Sequence, residues 1–321
     1  MYQIKQKPED FIVKEINSLK LSDKGKYAYF RLKKTSYTTL RALEHIATAL
    51  RIERKKLSFA GTKDKIAQTE QTISACGIKK EQLEQVKLKD LQIEFLGYSD
   101  QPISLGGLDK NEFEIVIRNL EKIKPIKQTK FVNYFGEQRF STRNHLIGKA
   151  IIQSKIKEAV QMITETEGDI EEKVKDKIEN NKNDYVGALR AIDRKLLLMY
   201  IHSYSSWIWN KAAEELLKKG QKEQITIPLL GFSTELGEDE ASKTIKKIMN
   251  EEKITQRDFI IRPIPELTCT GDTRELYAEA EDLEVVEQGN DDFNEGKKKI
   301  RIKFKLKKGI YATEYIKQVF G

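Results

Sequence analysis

The sequence predicts an α+β protein with sheet at both ends of the chain and a helix-rich insertion between them. Three observations predict it. Short segments of period-two alternation lie within the first 120 residues and return after Lys298. Apolar residues at helical spacing dominate from Ala188 to Lys253. Between the two, "ETEGDIEEKVKDKIENNKND" (residues 165–184) is charged, poor in apolar residues and acidic in balance, which marks a solvated helix or loop within an insertion.

The elements follow in order. "DFIVKEI" (Asp10 to Ile16) and "KYAYFRLKK" (Lys26 to Lys34) are short, rich in β-branched and aromatic residues and separated by "SDKG", the pattern of two strands and a turn. Thr39 is the predicted N-cap of an amphipathic helix that ends before Arg54, with Leu40, Leu43, Ala47 and Leu50 at helical spacing. "SFAGTKDKIAQTEQTISA" (Ser58 to Ala75) reads as strand, tight turn, strand. In its second strand Ala67, Thr69, Gln71, Ile73 and Ala75 share one face, and Gln68, Glu70, Thr72 and Ser74 make an entirely polar one.

"NEFEIVIRNL" (Asn111 to Leu120) alternates again, and "VNYFGEQRFS" (Val132 to Ser141) is a loop by its Asn and Gly content. From Ala188 a long apolar-rich helix, broken at most once, runs to a stop at Gly220. Asp239 to Lys253 is another helix, with Ile245, Ile248 and Met249 inward. The C-terminal segment from "KKKIRIKFKLKK" onward returns to strand. There Ile300, Ile302, Phe304 and Leu306 alternate with Arg301, Lys303, Lys305 and Lys307, so one face is core and the other wholly basic.

Composition narrows the function. The chain has 321 residues, 39% hydrophobic and 34% charged, with a formal net charge of +8, so it is attracted to polyanions: RNA, DNA or an anionic membrane. Cys76 and Cys269 belong to no CxxC or Cys/His cluster, which points away from a disulfide framework or zinc site and toward a reducing, cytoplasmic setting. "MYQIKQKPEDF" lacks an apolar signal core and no run of 18 apolar residues occurs, so no membrane association is expected. His45, His145 and His202 are scattered without a Ser or Cys nucleophile motif and read as structural.

The chemistry-bearing candidate is Asp64, in a Gly-Thr-Lys-Asp turn between Lys63 and Lys65. Such a turn is either an ordinary exposed bend or a nucleophilic or basic carboxylate kept ionised by neighbouring ammonium groups. Three long motifs in order, "FAGTKDKIAQTEQ", "NYFGEQRFS" and "FKLKKGIYATEYI", supported by "KPEDFIVKEI", "LGGLDKNEFEIVIR", "HSYSSWIWN" and "TGDTREL", resemble the TruD family of tRNA pseudouridine synthases, with this chain an archaeal-like member. The resemblance covers nearly the full chain.

It implies a pseudouridine synthase fold, a mixed and mainly antiparallel sheet with flanking helices. The catalytic domain is expected from residues 1–154 and 256–321, with an inserted TRUD domain at 155–255 and RNA in the cleft between them. It also implies an isomerase acting on tRNA, at uridine thirteen of the D arm, with no cofactor, metal or protein partner. By resemblance Asp64 is the catalytic residue, Lys5 its cationic partner with Lys63 as the local alternative, and Phe135 the platform for the flipped uracil. Asn133 would orient Asp64, with Gln138 and Arg139 nearby. A Phe cannot accept the proton released from C5, so the final base stays unassigned.

The sequence departs from the family where Lys-Gly-Asn reads "DKN", "AYQS" reads "SYSS" and "QRFG" reads "QRFS", which touches tRNA contacts rather than the catalytic turn. The basic face of Arg301, Lys303, Lys305 and Lys307 either binds tRNA backbone or guards an edge strand. Trp207 and Trp209 read as helix core. Two other classes stay open: an inactive RNA-binding protein or folding chaperone, and a metal-dependent nuclease, for which Glu70 is the nearest second acid.

Overall fold

A computed structural model describes residues 1–321 except 105, 142, 166 and 167. The chain forms two compact units, Met1–Phe131 with Glu279–Gly321, and Val132–Ala278. The first is built on eight strands: β1 (Phe11–Ile16), β2 (Tyr27–Thr35), β3 (Leu57–Phe59), β4 (Gln68–Cys76), β5 (Leu91–Ser99), β6 (Lys110–Leu120), β7 (Glu281–Asn290) and β8 (Lys298–Lys307). Their order is β7-β8-β6-β1-β4-β2-β5, with β3 added on β4. The β1–β4 contact is parallel and the other pairings are antiparallel, so the sheet is mixed and mainly antiparallel as expected.

Both early strands form, yet they do not make a hairpin, because β4 lies between them. The ten-residue connection from Asn17 to Lys26 is too long for a tight turn and leaves room for that insertion. The helix Thr39–Leu50 buries Ala42, Leu43, Ile46 and Ala47 against Ala28, Phe30 and Leu32 of β2 and Ile73 and Ala75 of β4. Its N-cap is Thr38, whose hydroxyl accepts from the Arg41 N–H, rather than Thr39. Thr39 is buried and its hydroxyl is used elsewhere, as described below.

The polar face of β4 is not solvated along its length. Thr72 and Ser74 are buried, the Thr72 N–H donates to Glu15 and the Ser74 hydroxyl accepts from the Ile103 N–H. The basic face of β8 also differs from expectation. β8 is an inner strand between β7 and β6, and its cations meet acids: Arg301 pairs with Glu114 and Glu287, Lys303 with Glu112, and Lys305 with Asp282. The edge-guard reading therefore does not hold, and three of the four cations of the expected basic face are paired, while Lys307 at the end of the strand is exposed. After Lys307 the chain ends in a helix, Ala312–Phe320, rather than in strand, with Tyr315 packed on Phe131 and Phe304.

One buried charge cluster ties the N-terminal segment to the sheet. Arg118 of β6, 1% exposed, donates to both carboxylate oxygens of Asp10 at 2.9 and 2.8 Å and to Asp291 at 2.9 Å. Its main chain also exchanges hydrogen bonds with Gln3. Residues 3 and 10 are thus both anchored on one β6 residue, and Lys5 lies between them.

The second unit is mostly helical: Asn144–Ile152, Ile156–Thr164, Asp169–Asn180, Tyr185–Arg190, Arg194–Lys218 and Glu240–Glu252, with a two-stranded piece, Thr226–Leu229 against Asp272–Glu275. The long helix is broken once, at residues 191–193, where Asp193 caps the Lys195 N–H. Gly148 lets Asn144–Ile152 press onto it, since a Cβ there would sit 2.0 Å from the Tyr200 carbonyl oxygen. Residues 132–154 and 256–278 fall in this unit rather than on the sheet side of the expected breaks. They do so because Asn144–Ile152 packs on the long helix and Asp272–Glu275 pairs with Thr226–Leu229. No helix among the described residues is long and apolar enough to cross a membrane.

Burial pushes the Asp291 carboxyl up, but bonds from Asn294, from the N–H groups of Phe293 and Asn119 and from Arg118 outweigh it and hold it at about 2. A depressed carboxylate stabilises the fold above its ordinary value of 3.8, and that contribution is lost as pH falls toward 2. In urea titrations across that interval the wild type should therefore lose more stability than Asp291→Asn, which starts weaker at neutral pH. Equal losses would remove Asp291 from the acid response.

Candidate active site

Asp64 lies in residues 60–67, which link β3 to β4 without regular secondary structure. Backbone in such a segment lacks ladder partners, and side chains take over much of the bracing. The Thr39 hydroxyl accepts from the Lys63 N–H at 2.9 Å and donates to Gln71 Oε1 at 2.8 Å. Gln71 Nε2 donates to the Gly61 carbonyl at 3.4 Å, and Lys34 Nζ donates to the carbonyl of Asp64 itself at 3.0 Å. Burial lowers the Lys34 ammonium to about 8, with the Asp64 charge opposing and Lys63 reinforcing that fall.

The Asp64 side chain, 27% exposed, pairs with Lys5, whose Nζ is 2.5 Å from Oδ2. Lys5 has a left-handed backbone, φ +58°, a conformation a non-glycine residue adopts at a cost, and its ammonium lies 4.2 Å from the centroid of the Phe11 ring. The anchors at Gln3 and Asp10 hold that geometry. Lys63, the local alternative, turns away: its Nζ is 2.8 Å from Glu15 Oε1 and 2.9 Å from Asn111 Oδ1. Glu70 pairs with Lys33 at 3.7 Å.

In the second unit Asn133 and Phe135 are held by a residue not singled out from sequence, Arg274, and Arg139 lies 5.9 Å from the centroid of the Phe135 ring. The Arg274 Nε donates to the Asn133 carbonyl at 2.8 Å and its Nη2 to Asn133 Oδ1 at 2.5 Å, while Asn133 Nδ2 donates to the Glu275 carbonyl. The Arg274 guanidinium also lies 4.1 Å from the centroid of the Phe135 ring. Phe135 is 8% exposed, meets Trp209 edge-on at 5.7 Å and exchanges main-chain bonds with the Asn210 side chain.

Arg139 bonds Ser206, and Gln138 is exposed. Phe135 and Arg139 line a cavity of about 440 Å³ with Arg194, His202, Ser206 and Cys269. Burial, and Arg139 beside it, lower His202. Trp209 is fully buried, whereas half-buried Trp207 stacks on His145 and Tyr204. Among the described residues no three His, Cys, Asp or Glu side chains converge as metal ligands.

The chain matches the sequence profile of tRNA pseudouridine synthase D (TruD) over residues 2–180, 165–225 and 214–319. A relative in Methanosarcina acetivorans, described as a probable tRNA pseudouridine synthase D, is 30% identical over 98% of this chain and 92% of its own length. The tRNA pseudouridine synthase D of Aquifex aeolicus is 28% identical over 99% and 98%. Among solved structures, the crystal structure of a Methanosarcina mazei protein described as a tRNA pseudouridine synthase D superposes with a TM-score of 0.75 at 27% identity, covering 99% of this chain and 93% of the other. The fold is that of a pseudouridine synthase with an inserted domain. More narrowly, the chain belongs to the TruD family of tRNA pseudouridine synthases.

The two lysines beside Asp64 should behave differently under mutation. The Lys63 and Glu15 side chains are 10% and 0% exposed, so Lys63→Met strands a buried carboxylate and should cost about 3–5 kcal/mol. The Lys5 and Asp64 side chains are 23% and 27% exposed, and Lys5→Met should cost less than about 1 kcal/mol. Urea denaturation of the two variants measures this; equal losses would show that the burial difference does not govern the pairs.

Proposed function

We propose that this chain isomerises uridine to pseudouridine in tRNA, at uridine thirteen of the D arm, with Asp64 as its catalytic carboxylate. The observation that carries the reading is the Lys5–Asp64 pair, a carboxylate on a side-chain-braced turn with an ammonium 2.5 Å away, in a chain of the TruD family. The reaction breaks the N1–C1′ bond, turns the uracil and joins C5 to C1′; C5 loses its proton and N1 gains one. Atoms balance without oxidation or reduction. Attack on C1′ and removal of a sugar proton both call for the ionised form of the acid, and a neighbouring ammonium favours that form.

The target base is stacked in folded RNA, so reaching its sugar requires extrusion at a cost of a few kcal/mol. Phe135 supplies a ring on which the uracil stacks and so offsets part of that cost. Arg274 braces this platform from one side; the Asn133 amide, expected to orient Asp64, is instead taken up by Arg274 and the Glu275 carbonyl, and Arg139 beside Phe135 is the polar group offered to the base. Gln138, exposed next to Arg139, completes the reading as a contact for the RNA; its exposure supports that role. Affinity for tRNA comes mainly from phosphate contacts, which carry little sequence information.

Unmodified tRNA transcripts incubated with the purified protein and mapped for isomerised uridines test the reading. Conversion at position thirteen is expected, and conversion confined to another position would overturn the site assignment alone. Asp64→Asn should abolish conversion while tRNA affinity stays within several-fold; parallel loss of binding and turnover would make Asp64 structural. Phe135→Ala should lower the rate at subsaturating tRNA by roughly 5- to 150-fold, the equivalent of about 1–3 kcal/mol of stacking. An unchanged rate there would exclude the stacking role.

A further inference from the structure

Lys34 stands where the sheet calls for a hydrophobe. Ala28, Phe30 and Leu32 precede it at alternate positions of β2, all fully buried in the core beneath the helix Thr39–Leu50, and Lys34 continues that face at 2% exposure. An ammonium there is costly unless its protons are matched. Its Nζ donates to two main-chain carbonyls, Tyr37 at 2.5 Å and Asp64 at 3.0 Å. The first belongs to the segment that leads into the helix, the second to the residue whose carboxylate pairs with Lys5. Asp64 is therefore held by two cations with separate tasks: Lys5 meets the side chain, and Lys34 holds the backbone from the core side.

We infer that Lys34 is a positioning residue for the isomerisation, fixing the Asp64 main chain so that its carboxylate is aimed before RNA arrives. This rests on the reading of Asp64 as the catalytic carboxylate. A methionine would satisfy the core at this position and remove the Lys34 bond to the Asp64 carbonyl. A displacement of about 1 Å in a reacting group is enough to cost on the order of 100-fold in rate. The neighbouring charges, Asp64 and Lys63, pull the Lys34 proton affinity in opposite directions, and burial dominates both.

The experiment compares Lys34→Met and Lys34→Arg with wild type by single-turnover conversion at saturating enzyme, tRNA affinity and thermal unfolding. Lys34→Met should keep its thermal midpoint within a few degrees and its tRNA affinity within threefold, and lose on the order of 100-fold in rate. Lys34→Arg, which keeps a cation and several donors, should recover at least tenfold of that loss. A Lys34→Met rate within threefold of wild type overturns the inference. So does a rate loss accompanied by equal losses of midpoint and affinity in both variants, since that describes a residue of the sheet alone.

If Lys34→Met is recovered unfolded, Lys34→Gln carries the same comparison, with one amide donor group in place of the ammonium. Its rate should fall with affinity held, and an unchanged rate counts against the role. Asp64→Asn measured alongside separates the two readings. An active Asp64→Asn sinks the catalytic assignment, whereas an inactive Asp64→Asn with a fully active Lys34→Met sinks only the role of Lys34.

Discussion

The Lys5–Asp64 ion pair joins two pieces of chain that are 59 residues apart, neither of which is held by a strand ladder at that point. Much of the first unit serves to bring them together. On the Lys5 side, Arg118 binds Gln3 through its main chain and Asp10 through its guanidinium, so a left-handed lysine is spanned by two fixed points. On the Asp64 side, Thr39, Gln71 and Lys34 hold the turn from the core. A pair with about a quarter of each side chain exposed contributes little to stability. Its geometry is maintained by the buried groups around it, not by its own attraction.

Those supports share a physical character. Lys34, Thr39, Gln71 and Arg118 are each 2% exposed or less, and an apolar side chain of similar size would be easier to bury. In each case a polar group has been placed in a core position to satisfy the backbone or charge of a neighbouring segment. The second unit repeats the arrangement on a smaller scale: Asn133, 4% exposed, has its amide oxygen bound by Arg274, which also covers Phe135. Each of these polar groups fixes the orientation of its neighbours, the Lys5–Asp64 pair in the first unit and Phe135 in the second.

Charge works at two ranges in this molecule. The net charge of +8 is a long-range property that draws polyanions toward the protein. The most regular array of cations, along β8, is instead a local device: Arg301, Lys303 and Lys305 meet carboxylates on β6 and β7, as cross-strand pairs of opposite sign do. A basic face in a sequence becomes a binding surface only if the neighbouring strands do not answer it.

Periodicity alone determined the alternating strands, the helix from Thr39, the long apolar-rich helix and the inward face of Ile245, Ile248 and Met249, because side-chain spacing along an element is a local consequence of backbone geometry. The motifs picked out Asp64 and named Lys5 as its partner. Lys34 was visible in principle, since parity puts it on the apolar face of β2, but parity does not say what an ammonium there would bind. Arg274 lies in the motif TGDTREL, but the motif did not single it out, because its role arises from a strand pairing with Thr226–Leu229 and from contacts to residues more than 130 positions away. Strand order, the partner of Lys63 and the neutralisation of β8 were likewise decided by tertiary structure. Each depends on which distant segment packs alongside, and no local preference specifies that.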